Sequence, residues 1–237
     1  MNSTTALAEL PQLARRTLSD TVYEALSDLL ASGRLAPGDR LSLRQSAAAL
    51  GVSVMPVREA VSRLAADGVL EVAPNRVIRV PVMGAAAFRA LAETRIAVEG
   101  LAVARAAERR TATELAAIRR AEAAFRAEAE AARPDRARAV QLNRDLHFAI
   151  YGACGLAPLQ EIIARLWLKA GPVINLDLRA HPERLLQGFA LRRHAEALAA
   201  IEIRDGSGAA AAIAADIREA AAFIMARGGL RDAHEGD

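Results

Sequence analysis

Four side chains in the C-terminal half of the chain carry metal-ligand chemistry. Asn143 and His147 stand four residues apart, so on a helix both project from one face. His194 follows on a later stretch, and Asp216 lies 22 residues beyond it. An amide oxygen, two imidazole nitrogens and a carboxylate gathered inside a helical bundle suit a divalent ion such as Zn²⁺, Ni²⁺ or Mn²⁺. The same residues also read as hydrogen-bonded packing, or as a polar pocket that holds a small molecule without metal. Arg95 and Glu99 form a second pair at helical spacing. On a surface such a pair contributes about 0.3–0.5 kcal/mol. In a pocket, the guanidinium fork would match the two oxygens of a carboxylate. Tyr151, Trp167 and Asn175 are further candidates to line that pocket, although the aromatics suit a core equally well.

These residues need a helical scaffold, and the sequence supplies one. From about residue 83 to 228 the chain is rich in alanine and arginine with helical periodicity. The pattern predicts helices over about 85–109, 111–132, 135–153, 156–170, 183–204 and 207–227, with breaks at Pro134, Gly155, Gly171-Pro172, Pro182 and Gly206. Seven of the eight aromatic residues, all but Tyr23, fall in this half, as a core or a lined pocket would require. The single lysine, Lys169, reads as a cation near a helix C-terminus.

Residues 17–82 have a different texture. Thr17 and Asp20 cap a helix running to about Ser32, with Val22, Leu26, Leu29 and Leu30 facing inward. Pro37-Gly38 is a turn. Ser42 and Gln45 make a capping box for a short helix that ends at Gly51, and Ser53 caps the next, with Pro56 in its first turn. Val57, Val61 and Leu64 make the buried stripe of that second helix, leaving Arg58 and Arg63 outside it. Asp67-Gly68 closes it. Residues 69–72 and 77–80 read as two strands of a hairpin with Arg76 at or near its tip. Three helices and a wing make a winged helix-turn-helix, with Arg44, Ser53, Arg58, Arg63 and Arg76 as candidate DNA contacts.

At these residues the chain resembles the GntR family of bacterial transcription regulators. Gly33 to Leu41, Leu50-Gly51-Val52-Ser53 and Pro56-Val57-Arg58-Glu59-Ala60 match the family's DNA-binding half. Val54 and Met55 depart from it, standing where the family usually has Arg-Thr, so Arg44, Arg58 and Arg76 must carry more of the recognition. The run from Asn143 to Gly155, then His194 to Leu198 with Asp205, is similar to the FadR-type effector domain, the FCD class. That resemblance implies a metal held by an Asp, a His four residues on, and two further His 22 apart. Here His147 and His194 keep their places, Asn143 replaces the Asp, and Asp216 replaces the last His. The family also places an Arg in the Arg95 position near the ligand cavity.

Composition narrows the classes without deciding among them. Residues 1–82 hold 9 arginines against 8 acids, so no bulk basic field advertises nucleic acid. One cysteine, Cys154, excludes an intrachain disulfide. No apolar run reaches membrane-spanning length, and residues 1–16 read as a flexible leader without a signal-peptide core. The expectation is therefore a mainly α protein of two units, residues 17–82 and 83–228, followed by a tail over 229–237. With the resemblance, it implies a cytoplasmic homodimeric repressor that would bind an operator duplex and respond to a small organic acid. Two alternatives stand beside it: an effector-independent regulator with a degenerate pocket, and a metalloenzyme tethered to DNA. No HExxH motif or nucleophile elbow supports the latter.

Overall fold

The computed structural model describes residues 17–73, 76–180, 189–227 and 230, with backbone alone for 176–180. The expected leader, the tail residues 231–237, the Pro182 break, the start of the fifth bundle helix, His181 and His234 lie outside the described residues.

The N-terminal unit begins with α1, Leu18–Ala31. Its capping box is complete: the Asp20 amide donates to Thr17 Oγ1 at 3.1 Å, and the Thr17 amide donates to Asp20 Oδ2 at 3.0 Å. Strand β1, Arg40–Leu41, leads to α2, Leu43–Leu50, and α3, Val54–Ala66. Gly51 closes α2 in the left-handed region at φ 65°, where a Cβ would be strained. Ser42 caps α2 in one direction only, accepting from the Gln45 amide at 3.4 Å. Ser53 holds the N-cap position of α3 but its side chain makes no capping bond. Both are departures from the expected chemistry; backbone geometry and burial of Val57, Ala60, Val61 and Leu64 set these helices instead.

The wing is shorter than its sequence pattern and has a third strand. β2 is Glu71–Val72 and β3 is Ile78–Arg79, in a sheet ordered β1-β3-β2. Arg79 pairs with both Arg40 and Glu71 across the ladders, and its Nε meets Glu71 Oε2 at 2.8 Å. Val69 and Leu70 leave the ladder because both are buried in the three-helix core.

The second unit is a bundle: α4 Ala85–Arg109, α5 Ala112–Ala129, α6 Arg136–Gly152, α7 Ala157–Ala180, α8 Phe189–Glu202 and α9 Gly206–Ala226. Long α4 and α9 pack on each other and supply much of its core, including Ala102, Val103, Ala106, Ile213 and Ile217. Among the described residues, no helix is long and apolar enough to cross a membrane.

The expected break at Gly171-Pro172 does not occur. α7 runs through it to Ala180, which places Lys169 in the middle of a helix and beside Gly68. Proline inside a helix removes one backbone bond, but packing outweighs that loss. Gly171 faces the end of α1 so closely that a Cβ there would stand 3.0 Å from Ala31 Cα and 3.1 Å from the Leu30 carbonyl. Leu168, one turn earlier, is buried in the N-terminal core. The glycine therefore serves close helix approach, not termination.

Two outcomes follow from this packing. Gly171→Val forces α1 and α7 apart and should cost about 1–3 kcal/mol by overpacking, read as a fall in Tm. Asp20 is held near a pKa of about 2 by bonds from the Thr17 hydroxyl, the Arg63 guanidinium and the Thr17 amide. A depressed carboxylate stabilises the fold above its ordinary value of 3.8 and loses that contribution as pH falls toward 2. Asp20→Asn should thus melt earlier than wild type at pH 7, with the gap closing as the melts are repeated toward pH 2.

Candidate functional site

Helix α6 places Asn143, His147 and Tyr151 on one face at successive four-residue steps. His194 reaches the same point from α8 and Asp216 from α9. His147 and His194 are each about 1% exposed. His147 Nε2 lies 3.2 Å from His194 Nε2 and 3.6 Å from Asp216 Oδ2, and His194 Nε2 lies 3.8 Å from Asp216 Oδ1. Ions of this class take bonds of about 2.0–2.2 Å, which in a tetrahedral array set ligand atoms roughly 3.3–3.6 Å apart. The three donors already have near that spacing. Asn143 lines the same cavity.

The protonation state suits a ligand role. Burial lowers the His147 pKa to about 3, His194 and Arg95 push it the same way, and Asp216 opposes them. The ring is therefore neutral at physiological pH. Its tautomer is set from behind. The Tyr151 hydroxyl donates to Glu99 Oε2, so its oxygen is left to accept from His147 Nδ1–H at 2.8 Å. That arrangement directs the Nε2 lone pair into the cluster. Burial and the neighbouring Glu99 raise the Tyr151 pKa well above 10, which keeps its proton in place. His194 has no such support among the described residues, where its buried Nδ1 finds no hydrogen-bond partner.

Arg95 and Glu99 are not a surface pair. Arg95 Nε donates to Glu99 Oε1 at 2.6 Å and Nη2 to Oε2 at 3.3 Å, with both residues buried. Arg95 lines the cavity and lies 4.9 Å from the Trp167 ring centroid. Its charge is matched by Glu99. Glu99 and Tyr151 do not line the cavity; they stand one layer back and orient what does. Trp167 and Asn175 do line it. The Asn175 side-chain amide is engaged by the Ala31 carbonyl at the end of α1.

On the DNA-binding unit, Arg44, Ser53, Arg58 and Arg76 are exposed. The three arginines make no ion pair among the described residues. Arg76 adopts a left-handed φ of 61° in the wing turn. Arg63 differs: its Nη1 binds Asp20 Oδ1 at 2.7 Å and its guanidinium lies 4.3 Å from the Tyr23 ring centroid. It ties α3 to α1, which removes it from the set of uncommitted cations. Met55, which the sequence marked only as a departure, is 59% exposed in the first turn of α3, three residues before Arg58.

Comparison with known proteins agrees with this architecture. The family described as bacterial regulatory proteins, gntR family, matches residues 18–80, and the FCD domain matches residues 90–219. The chain is 32% identical to the HTH-type transcriptional regulator McbR of Escherichia coli K12, over 81% of this chain and 86% of that one. It is 30% identical to an HTH-type transcriptional regulator, BphR, of Paraburkholderia xenovorans LB400, over 76% and 79% of the two chains. The solved structure of E. coli McbR/YncC superposes with a TM-score of 0.82 at 28% identity, covering 91% of this chain and all of that one.

The back-support of His147 has a measurable consequence. Tyr151→Phe leaves His147 Nδ1 and Glu99 without their shared partner, so Zn²⁺ affinity in a chelator competition should drop by about 10–100-fold. An unchanged affinity in a variant that melts normally would remove Tyr151 from the site's support.

Proposed function

Because the chain belongs to the gntR family of bacterial regulatory proteins and carries an FCD domain, it is a transcriptional regulator and not an enzyme, and we propose that it represses transcription as a homodimer controlled by a small organic acid. The acid occupies the cavity at His147, His194 and Asp216, together with a divalent ion such as Zn²⁺, Ni²⁺ or Mn²⁺. The observation that carries this reading is the convergence of two buried imidazoles and a carboxylate at metal-ligand spacing, beside a cavity that the end of α1 helps to close. A resident divalent ion would supply positive charge and open coordination positions for the oxygens of an acid. Asn143, His147, His194 and Asp216 would hold it; Arg95 and Trp167 shape the rest of the cavity.

On the DNA side, Arg58 and Met55 present one face of α3 to the major groove, Arg44 approaches from α2, and Arg76 from the wing. Phosphate contacts by these arginines make binding salt-dependent. In a dimer the two α3 helices meet half-sites about 34–36 Å apart or a multiple of it. The acid acts by binding one arrangement of the two units more tightly than the other, because equal affinity for both would shift nothing. Ala31, at the junction, is part of the cavity wall and accepts from Asn175, so the arrangement of α1 is felt by whatever fills the cavity. Repression by default follows the family's usual sign.

A duplex selected from a random library by the wild-type protein tests both halves. Arg58→Ala should fold normally and bind that duplex about 5–150-fold more weakly. His147→Ala should bind it as wild type does, yet lose the response to an acid that shifts wild-type affinity. An equal response in both proteins would take His147 out of the effector site. A correctly folded wild type that binds neither metal nor acid would replace this reading with an effector-independent regulator.

A further inference from the structure

The cavity at the histidine–aspartate cluster is small, about 70 Å³. A cavity of that size takes several waters, enough for the head of a small acid. A larger cleft of about 330 Å³ lies between α1 of the DNA-binding unit and helices α6 and α7 of the bundle. Ala31, Arg144 and Trp167 line both spaces, so the two share a wall. We propose that they form one bipartite site, with the acid head at His147 and Asp216 and a flat, uncharged aromatic or apolar tail in the interdomain cleft. This inference rests on the effector reading above and deepens it by naming the ligand class.

The lining selects for such a tail. Tyr23, Phe148, Trp167 and Leu168 give the cleft aromatic and aliphatic walls. Among the described residues the buried Trp167 indole N–H has no hydrogen-bond partner, a cost that an acceptor atom on the ligand would remove. The two arginines of the cleft are committed: Arg144 binds Asp28 at 3.1 Å and lies 5.5 Å from the Phe148 ring centroid, and Arg165 faces Asp67 at 3.6 Å. Glu161 adds negative charge to the lining. A second carboxylate on the ligand is therefore repelled, whereas a ring is accepted. The site favours an aryl-substituted monocarboxylic acid over a dicarboxylic one.

The placement also explains how a ligand would reach the DNA-binding unit. The head meets α1 only at Ala31, whereas the tail also touches Tyr23 and Ser27 of α1. A ligand that occupies both spaces passes the shared wall of Ala31, Arg144 and Trp167. A molecule that spans the wall gains its tail contacts only in one placement of α1 against α7, which is the differential affinity that control requires.

The test titrates the full-length protein with acetate, phenylacetate and glutarate, with and without added Zn²⁺, followed by ligand-observed NMR, which reads millimolar affinities. Phenylacetate should bind about tenfold or more tighter than acetate, and glutarate no better than acetate. Ala164→Trp fills the cleft from α7 and should abolish the phenyl advantage while leaving acetate affinity unchanged. If that variant melts early, Ser27→Leu fills the cleft from α1 instead. Equal affinity for acetate and phenylacetate, a phenyl advantage that survives the filled cleft, or a preference for glutarate overturns the bipartite site while leaving the acid pocket standing. Failure of every acid, acetate included, in either metal state overturns the effector reading and this inference with it.

Discussion

Helix α7 is buried in two cores at once, and the rest of the structure depends on that constraint. Leu168 belongs to the core of the DNA-binding unit, whereas Ile163 and Val173 belong to the core of the bundle. The helix can satisfy both only if α1 comes within backbone distance of Gly171. Apolar burial then fixes the placement of the polar groups. Trp167 is turned toward His147, with ring centroids 5.0 Å apart, and Asn175 reaches the carbonyl of Ala31. A helix without that double burial would leave the cavity open where α1 now closes it.

The polar cluster obeys a second constraint, the cost of burying charge. Arg95 and Glu99 are acceptable inside the bundle because each matches the other and Glu99 gains the Tyr151 hydroxyl. His147 avoids the cost by staying neutral. Asp216 retains slight exposure at its side chain, 13%, and is the acid that sits against both imidazoles. A divalent ion there would take the His147 Nε2 lone pair and replace the 3.2 Å His147–His194 hydrogen bond with bonds to metal. The chain from Arg95 through Glu99 and Tyr151 to His147 is thus one electrostatic unit whose open end is the cluster.

Local signals in the sequence were strong where local physics decides. Thr17 with Asp20, Gly51 and Gly68 mark their helix ends because caps and left-handed turns depend on a few adjacent residues. The convergence of His147, His194 and Asp216 was legible through spacing and family resemblance. Three things were not. Pro172 reads as a helix stop, although Ile163, Trp167, Ala170 and Ile174 continue the helical period across it; that periodicity was the available signal. Arg63 is outward-facing as it reads, but nothing local announces its ion pair with Asp20, 43 residues away. The wall shared by Arg144, Trp167 and Ala31 arises from three separate helices, and no spacing along the chain encodes it.

The central claim is that the buried cluster is a divalent-metal centre. Elemental analysis of the purified protein, after loading with Zn²⁺, Ni²⁺ or Mn²⁺ and dialysis, tests it most directly. Wild type is expected to retain about one ion per chain, and a His147→Ala/His194→Ala double variant to retain none. Wild type that carries no metal after any loading, or a double variant that retains as much as wild type, would contradict the claim.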